Sequence, residues 1–174
     1  MNSYAFMHFN PFDLDEHSEA WDTMLKAYEG QENTEIDLDE FTDNNGIAVV
    51  IVEKPYPSVL GSATISLLAD DPTTALISGF YIQREMRRKG LSRHLLEEIL
   101  SQKLPETVKV VRIDCDTSNH YMIRIVKDYG FNEFYRSKSK EAIAFKMDYS
   151  PEGKRDSQKI TKRILPFFNW KKYM

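Results

Sequence analysis

The chain has 174 residues, of which 41% are hydrophobic and 29% are charged, and its formal net charge is −4. This composition is typical of one soluble globular domain and excludes collagen-like, disordered and disulfide-stapled proteins. We expect a cytoplasmic location, because Cys115 is the single cysteine, no apolar run approaches the ~20 residues of a membrane span, and the N-terminus lacks a signal-peptide pattern.

Apolar residues alternate along some segments and recur every three or four residues along others, which predicts mixed strands and helices. Strands are predicted at residues 4–9, 47–53, 60–68, 74–82, 108–116, 132–136 and 142–149. Helices are predicted at residues 15–29 and 36–42, from Gly90 to Leu100, and between Asn119 and Gly130. The second, third and fourth strands are joined by short turns, including one at residues 70–72, so they should pair antiparallel. A helix separates the fourth strand from the fifth, so these two should be parallel.

Charge is distributed unevenly along the chain. Residues 151–174 hold seven Lys or Arg against two Asp or Glu, which leaves −9 for residues 1–150. We therefore divide the chain into a domain at residues 1–150 and a basic, aromatic tail at residues 151–174. We expect the tail to pack on the domain or on a partner subunit, so that a homodimer is one candidate assembly. Binding of the tail to nucleic acid or to an anionic membrane surface is an open alternative.

The most informative segment is residues 79–100, where an apolar strand leads through a basic turn into an amphipathic helix. Backbone N–H groups at such a turn point toward one spot at the positive end of the helix dipole. Cationic side chains reinforce this field: Arg84, Arg87, Arg88, Lys89 and Arg93. The segment predicts an anion site, and a pyrophosphate fits it better than a single carboxylate. The glycine motifs of nucleotide-binding and dinucleotide-binding loops do not occur in the chain.

The turn resembles the acyl-CoA pyrophosphate loop of the GNAT superfamily of N-acetyltransferases, Gln/Arg-x-x-Gly-x-Gly/Ala. The run Arg87-Arg88-Lys89-Gly90-Leu91-Ser92 matches it at every specified position except the last, where Ser92 replaces Gly or Ala. Asn119, followed by a helix that ends in Gly130-Phe131, is similar to the second half of the cofactor site in that family. The resemblance implies an α/β (α+β) fold. Its mixed, mostly antiparallel central sheet would carry helices on both faces and a splayed parallel strand pair at the acyl-CoA site.

The same resemblance implies acetyl-CoA as co-substrate and assigns the residues that hold it. Phe80, Tyr81 and Ile82 would lie along the pantetheine arm, and Asn119 would hold this arm from the other side. The pyrophosphate would be bound by the turn and the first helical residues: Arg87, Arg88, Lys89, Gly90, Leu91, Ser92 and Arg93. Gly79 either eases a close approach of the arm or marks a β-bulge, and the two interpretations remain equal.

Acetyl transfer to an amine requires a base, because the attacking nitrogen must be neutral. In the ribosomal-protein N-terminal acetylases of this superfamily, a Glu lies five residues before the helix-opening Asn. That position is Asp114 here, which makes Asp114 the candidate base and Asp116 a weaker competitor on the same strand face. A structural ion pair between Asp114 and Arg112 is an equally weighted alternative.

The general acid is the point at which this chain departs from the family. The position that often carries a Tyr, seven residues after the Asn, is Val126 here. Tyr129 lies three residues further along the helix and is the candidate acid, with His120 as an alternative, so the assignment stays open. Strand alternation places Cys115 opposite Asp114, which favours a core residue over a nucleophile. The four histidines show no metal-ligand spacing, so we expect no metal.

These features together predict an N-acetyltransferase that moves an acetyl group from acetyl-CoA to a primary amine by direct attack in a ternary complex. Seven carboxylates lie between residues 29 and 43 without a Lys or Arg. They would attract a small-molecule amine or a basic peptide as acceptor, and a solvated acidic surface without a binding role is an equally open interpretation. The alternative is a catalytically weak or inactive acyl-CoA-binding module that acts through its tail.

Overall fold

The structure is a computed structural model, and it describes residues 3–9, 44, 46–54 and 58–150. The predicted helices at residues 15–29 and 36–42, the acidic stretch and the tail at residues 151–174 lie outside the described residues. The described part contains seven strands, two α-helices and one 3₁₀ turn. None of its helices is long and apolar enough to cross a membrane.

The elements follow the predicted order. The strands are β1 (Ser3–Phe9), β2 (Ile47–Lys54), β3 (Ser58–Leu68), β4 (Asp71–Ile82), β5 (Val110–Asp116), β6 (Asn132–Arg136) and β7 (Ala142–Asp148). The 3₁₀ turn is Arg84–Met86, and the helices are α1 (Leu91–Leu100) and α2 (His120–Asp128). All strands lie in one sheet of order β1-β2-β3-β4-β5-β7-β6, in which only β4 and β5 pair in parallel. The predicted fold class is thereby confirmed; the helices expected on the second face of the sheet lie outside the described residues.

The turn between β3 and β4 is not where the sequence predicts it. Leu68 pairs with Asp71, so the reversal is made by residues 69 and 70, and the predicted turn at residues 70–72 is wrong. The carboxylate of Asp71 explains the shift, because it accepts hydrogen bonds from the Thr73 amide at 3.1 Å and from the hydroxyls of Thr73 and Thr74 at 2.6 and 2.7 Å. These bonds, above all the one from the Thr73 hydroxyl, lower the pKa of Asp71. They hold residues 71–74 together, so that β4 begins at Asp71.

Both helices pack on one face of the sheet, which we call the helix face. Leu95, Leu96 and Ile99 of α1 are fully buried, and each contributes about 1.5–3 kcal/mol by leaving water. They share one core cluster with the alternating strand residues Val49, Ile51, Ala63, Ile65, Ala75, Ile77, Val111, Ile113, Ile143 and Phe145, and with Met122, Ile125 and Val126 of α2. The opposite side, the second face, carries the intervening strand residues, among them Val50, Ser62 and Thr64.

Candidate functional site

A fork opens where β4 and β5 stop pairing. Their parallel pairs run from Thr74↔Val110 to Ile77↔Ile113, after which β4 continues to Ile82 and β5 to Asp116. Each continuation remains bonded to the strand on its outer side, β3 or β7. We call residues 78–82 and 114–116 the fork. The predicted splayed pair is therefore present, and the fork separates two backbone edges at the position where the sequence places the pantetheine arm.

Gly79 lies at the branch point of the fork. Its φ is +57°, and it shares with Phe80 the space opposite Ala63, because Ser62 pairs with Tyr81 while Thr64 pairs with Ser78. This two-against-one arrangement is a β-bulge, which turns the end of β4 relative to its start. One of the two open interpretations of Gly79 is thus observed directly. The bulge begins two residues after the last parallel pair, so it also helps to open the fork.

A second glycine, which the sequence analysis did not single out, supports the end of β4. Gly61 of β3 pairs with Ile82, and a Cβ at Gly61 would lie 2.6 Å from Ile82 Cδ1 and 2.7 Å from the Tyr81 carbonyl oxygen. Only a residue without a side chain permits this approach. The available signal was a glycine inside an apolar strand, which often marks close contact between backbones. Gly61 therefore sets the position from which the next segment departs.

The segment after β4, residues 83–92, forms a loop that we call the anion loop. Arg88 has a φ of +63° and Gly90 a φ of +84°, so the backbone reverses its hand twice before α1 begins. The Gly90 carbonyl accepts the amides of Arg93 at 3.1 Å and His94 at 3.4 Å, and no side chain caps the helix. Within the described part of the chain, the five amides of residues 88–92 have no acceptor. Such successive amides form a concave anion-binding site.

The cations of the anion loop fall into two groups. Arg84, Arg87, Arg88 and Lys89 are exposed, and none of them pairs with a carboxylate among the described residues. The Arg87 Nε donates to the Ile82 carbonyl oxygen at 3.0 Å, which ties the loop to the end of β4. These side chains leave their charge available to an incoming anion.

Arg93 is arranged differently from the other predicted phosphate ligands. Its Nη2 lies 2.6 Å from the Asp128 carboxylate at the end of α2. Its carbonyl oxygen accepts the hydroxyl of Tyr129 at 3.3 Å. Arg93 and Tyr129 thus connect the two helices, so the structure commits the Arg93 charge to Asp128 and the Tyr129 hydroxyl to the backbone of α1.

The turn that leads into α2 satisfies its own amides. Asn119 is the N-cap, and its Oδ1 accepts the Met122 amide at 3.1 Å. Asp116 Oδ1 accepts the Ser118 amide at 2.7 Å. Hydrogen bonding with Ser118 lowers the pKa of Asp116, which makes this carboxylate a poorer proton acceptor. No oxygen of the described residues accepts the side-chain N–H groups of Asn119, which leaves them available for a ligand, while Asp116 is engaged in the turn.

Asp114 lies on the second face, at the first position of β5 that no longer pairs with β4 but still pairs with β7. Both of its oxygens accept hydrogen bonds from Arg112, with Nε to Oδ1 at 2.8 Å and Nη2 to Oδ2 at 2.6 Å. The hydrogen bond to Asp114 also raises the pKa of Arg112. The Arg112 guanidinium carbon lies 5.6 Å and Lys146 Nζ 5.3 Å from the centre of the Phe134 ring. The ion pair of the sequence analysis is therefore formed, and because an ionised carboxylate has about four acceptor sites, Asp114 keeps lone pairs for a further hydrogen bond.

The structure also shows the surroundings of the residues considered for a nucleophile, for a general acid and for metal binding. Cys115 lies on the helix face, and burial raises the pKa of its thiol to about 11. Val126, at the position of the family's tyrosine, is fully buried, while His120 is exposed at the start of α2. Among the described residues, no three His, Cys, Asp or Glu are grouped so that they could hold a metal ion.

The second face also carries three hydroxyl residues beside the fork that the sequence analysis missed. Thr64 is buried and Ser78 exposed, and their hydroxyl oxygens lie 2.8 Å apart. Ser62 is fully buried, and its Oγ has no hydrogen-bond partner among the described residues. The sequence contained a usable signal, since polar residues alternate with apolar ones along β3. Their meeting with Ser78 depends on strand pairing, which the sequence does not state.

Comparison with known families and structures gives a consistent result. The model of the acetyltransferase (GNAT) family matches residues 13–131 of the chain. No curated protein sequence matches significantly.

Three solved structures illustrate the likeness in fold. NAA60 from Arabidopsis thaliana, in complex with a bisubstrate analogue, aligns with a TM-score of 0.58 at 16% identity, over 85% of this chain and 100% of its own. The ribosomal-protein-S18-alanine N-acetyltransferase from Escherichia coli aligns with a TM-score of 0.56 at 16% identity, over 86% and 95%. The diaminobutyrate acetyltransferase EctA from Paenibacillus lautus, in complex with L-2,4-diaminobutyric acid and coenzyme A, aligns with a TM-score of 0.56 at 12% identity, over 85% and 96%.

Proposed function

The chain belongs to the acetyltransferase (GNAT) family, and on this premise we propose that it transfers an acetyl group from acetyl-CoA to the nitrogen of a primary amine. Acyl-CoA-dependent acetyl transfer is the activity of the family. Direct transfer within a ternary complex, the role of Asp114 and the class of acceptor are our proposals.

The anion loop is the observation on which the proposal rests. Residues 84–92 bring together five amides and four cations that, in the part of the chain the structure describes, have no backbone acceptor and no carboxylate partner, respectively. A diphosphate needs several N–H donors and a compensating positive field, so these residues fit the diphosphate of acetyl-CoA. The fork, which begins immediately before the loop, would receive the extended arm that carries the thioester. Asn119 would contact this arm through its side-chain amide.

Asp114 is proposed as the base that removes a proton from the acceptor. It lies at the start of the fork, exposed and held in one orientation by the two hydrogen bonds from Arg112. A side chain held in this way loses little freedom when the substrate binds, which favours proton transfer in a defined direction. Asp116, the weaker competitor, lies two residues further along β5, and its lowered pKa makes its carboxylate a poorer proton acceptor.

Direct transfer is favoured over an acyl-enzyme route through the cysteine. With a thiol pKa of about 11, Cys115 carries only on the order of one thiolate in 10⁴ molecules at pH 7. It also lies on the helix face of β5, opposite Asp114. The base and the thiol therefore cannot serve one reaction centre, and the amine itself is the attacking group.

The acceptor is proposed to be a small-molecule amine or a basic peptide end. Two structural relatives carry acceptors of these kinds in their names, one an alanine of a ribosomal protein and the other L-2,4-diaminobutyric acid. The acidic stretch at residues 29–43, which lies outside the described residues, would attract either.

Thiol release from acetyl-CoA tests the proposal. The assay is run with spermidine, with L-2,4-diaminobutyric acid and with a short peptide that has a free N-terminus. We expect turnover with at least one of these amines, and a fall in kcat of about 10²- to 10⁴-fold in Asp114→Asn. Two variants should retain activity: Cys115→Ala, and Asp148→Asn, which neutralises another exposed carboxylate of the sheet. A wild-type rate that Asp114→Asn does not change would remove Asp114 from the mechanism.

The second candidate function is an acyl-CoA-binding module without turnover. One observation favours it: buried Val126 occupies the position of the family's tyrosine, and the Tyr129 hydroxyl is bonded to the backbone of α1. In that case CoA raises the melting temperature, because it binds only the folded chain, yet no amine elicits thiol release. The same two assays therefore separate the two functions.

A further inference from the structure

We propose that Ser78 binds an N–H group of the acceptor amine and that Thr64 is the positioning residue that holds the Ser78 hydroxyl in place. The inference deepens the proposed function and rests on it. The fork has two walls, the end of β4 and the end of β5. Asp114 lies on the β5 wall, and the inference concerns the β4 wall opposite it.

The pairing of the strands places Ser78 and Asp114 on the same side of the sheet. Ile77 and Ile113 form the last parallel pair, and both belong to the core on the helix face. The next residue of each strand therefore points to the second face. At the last pair the two strands are about 5 Å apart, so Ser78 and Asp114 flank the fork where it is narrowest. A single amine nitrogen about 2.9 Å from an oxygen of each residue would then contact both walls.

Hydrogen bonds already orient the Ser78 hydroxyl. Thr64 Oγ1 lies 2.8 Å from Ser78 Oγ and donates to the Ser78 carbonyl oxygen at 3.2 Å. Thr64 is 4% exposed, so its rotamer is fixed by packing, whereas Ser78 is exposed. A hydroxyl oxygen has two lone pairs. Whichever partner donates in the Thr64–Ser78 bond, Ser78 Oγ keeps one lone pair that can accept an N–H.

The hydroxyl of Ser62 adds a third polar group to the pair formed by Thr64 and Ser78. We call these three residues the hydroxyl row, and their own hydrogen bonds do not use all of its donors and acceptors. Ser62 precedes Thr64 by two residues on the same face of β3 and lies opposite Tyr81 of the fork. Its Oγ is buried and has no partner among the described residues. A buried hydroxyl without a partner is costly, so such groups are rare in the absence of a polar ligand. The three hydroxyls of Ser62, Thr64 and Ser78 therefore suit a polar acceptor better than an apolar one.

This arrangement assigns complementary tasks to the two walls of the fork. Asp114 takes the proton that the ammonium group must lose, and Ser78 accepts a second N–H of the same nitrogen. Because Ser78 holds an N–H that remains after the proton has left, it restricts the rotation of the nitrogen and thus the direction of its lone pair. The acceptor is then an amine whose ammonium form has at least two N–H groups, which excludes tertiary amines; a primary amine also leaves the nitrogen least hindered for attack.

Acceptor kinetics with four variants test the inference, with the amines of the thiol-release assay as probes. We expect Ser78→Ala and Thr64→Val to raise the acceptor KM about tenfold, the equivalent of one lost hydrogen bond. Thr64→Ser keeps the hydroxyl and should restore the wild-type KM. Ser66→Ala is the matched control, because Ser66 lies on the same face of β3 but opposite Leu76, where β4 and β5 are still paired. The melting shift with CoA should be the same in all four.

The outcomes are distinct. An unchanged acceptor KM in Ser78→Ala, in a chain whose wild type acetylates an amine, overturns the inference and leaves the proposed function standing. A rise in KM for Thr64→Val that Thr64→Ser does not reverse overturns the positioning role of Thr64. A wild-type chain that releases no thiol with any of the amines overturns the proposed function, and the inference with it.

Discussion

The two turns that lead from strand to helix, β4–α1 and β5–α2, occupy equivalent places in the fold. They differ in whether side-chain oxygens of the turn accept its backbone N–H groups. Both follow parallel strands, so both helices begin at the same edge of the sheet. In the β5–α2 turn, oxygens of Asp116 and Asn119 accept the amides of Ser118 and Met122. In the β4–α1 turn, no side chain accepts an amide of residues 88–92 among the described residues, and Gly90 in the left-handed region stands where a capping oxygen would be.

The difference indicates the condition under which the N-terminus of a helix can bind an anion. The helix dipole is common to both turns, so it cannot distinguish them. The distinguishing feature is whether the chain supplies its own acceptor oxygens. Where carboxylate and amide side chains fill this role, the turn is structurally complete. Where they are missing and cations take their place, the amides are available to a ligand, which is why we assign the diphosphate to the first turn alone.

The largest effect is expected where the first turn is anchored to the sheet. Gly61→Ala would place a methyl group 2.6 Å from Ile82 Cδ1 and 2.7 Å from the Tyr81 carbonyl oxygen, so β4 has to move away from β3. We expect a loss of about 3 kcal/mol in the free energy of unfolding, measured with urea, together with weaker CoA binding. Gly61 is not among the glycines with a positive φ, so a loss in this variant reports the close approach and not backbone strain. An unchanged free energy of unfolding in Gly61→Ala would show that the close approach is unimportant.

A smaller effect is expected within the anion loop itself. Gly90 has a φ of +84° and open space around its Cα. Gly90→Ala should therefore cost about 1–2 kcal/mol through backbone strain only. Because the strain is relieved by rotating the neighbouring amides, calorimetry should also detect weaker CoA binding. If CoA affinity is retained despite the loss of stability, the amides of the first turn are not its ligands.

Polar side chains at the starts of the two helices should differ by about 1 kcal/mol in what they contribute to the free energy of unfolding. Asn119→Ala removes the oxygen that accepts the Met122 amide and should reduce the free energy of unfolding by about that amount. Ser92→Ala should leave stability unchanged, since no side chain caps α1. Urea denaturation of both variants measures the difference. A loss in Ser92→Ala as large as that in Asn119→Ala would mean that the first turn is capped as well, which would contradict the comparison.

The smallest effect concerns the response of the second turn to acid. Hydrogen bonding with Ser118 lowers the pKa of Asp116 in the folded chain. A depressed carboxyl pKa contributes stability above the unfolded-state value of about 4, and this contribution is lost as the pH falls through the lower, folded-state value. Asp116→Asn should therefore lose less stability than the wild type between pH 6 and pH 3. If Asp116→Asn loses as much stability as the wild type over this range, the hydrogen bonds from Ser118 do not stabilise the ionised carboxylate.

Much of the site could be predicted because the relevant patterns are local. The run Arg87–Ser92 lies between a strand and a helix in sequence, and the structure keeps it there as one loop. Alternation along β5 correctly separated Asp114 from Cys115, since successive side chains of a strand point to opposite faces. Asp114 remains a predicted base, and the phosphate ligands remain predictions as well.

Other features depend on contacts between distant segments, which no local pattern contains. Arg93 was grouped with the phosphate ligands because of its charge, yet a carboxylate 35 residues later is bonded to it. The boundary of β4 shifted because hydrogen bonds within the hairpin outweighed the tendency of Pro72 to mark a turn.

By itself, the amino-acid sequence determined the order of the elements, the cationic loop at the start of a helix and the side of β5 on which each residue lies, because these follow from spacing along a single chain. Tertiary structure alone decided that β4 and β5 separate after Ile77 and Ile113, that Gly61 lies against Ile82, and that Thr64 meets Ser78 beside Asp114. The physical reason is that pairing between strands brings together residues whose separation in sequence carries no information about their contact. The chemistry of the fork arises from that pairing.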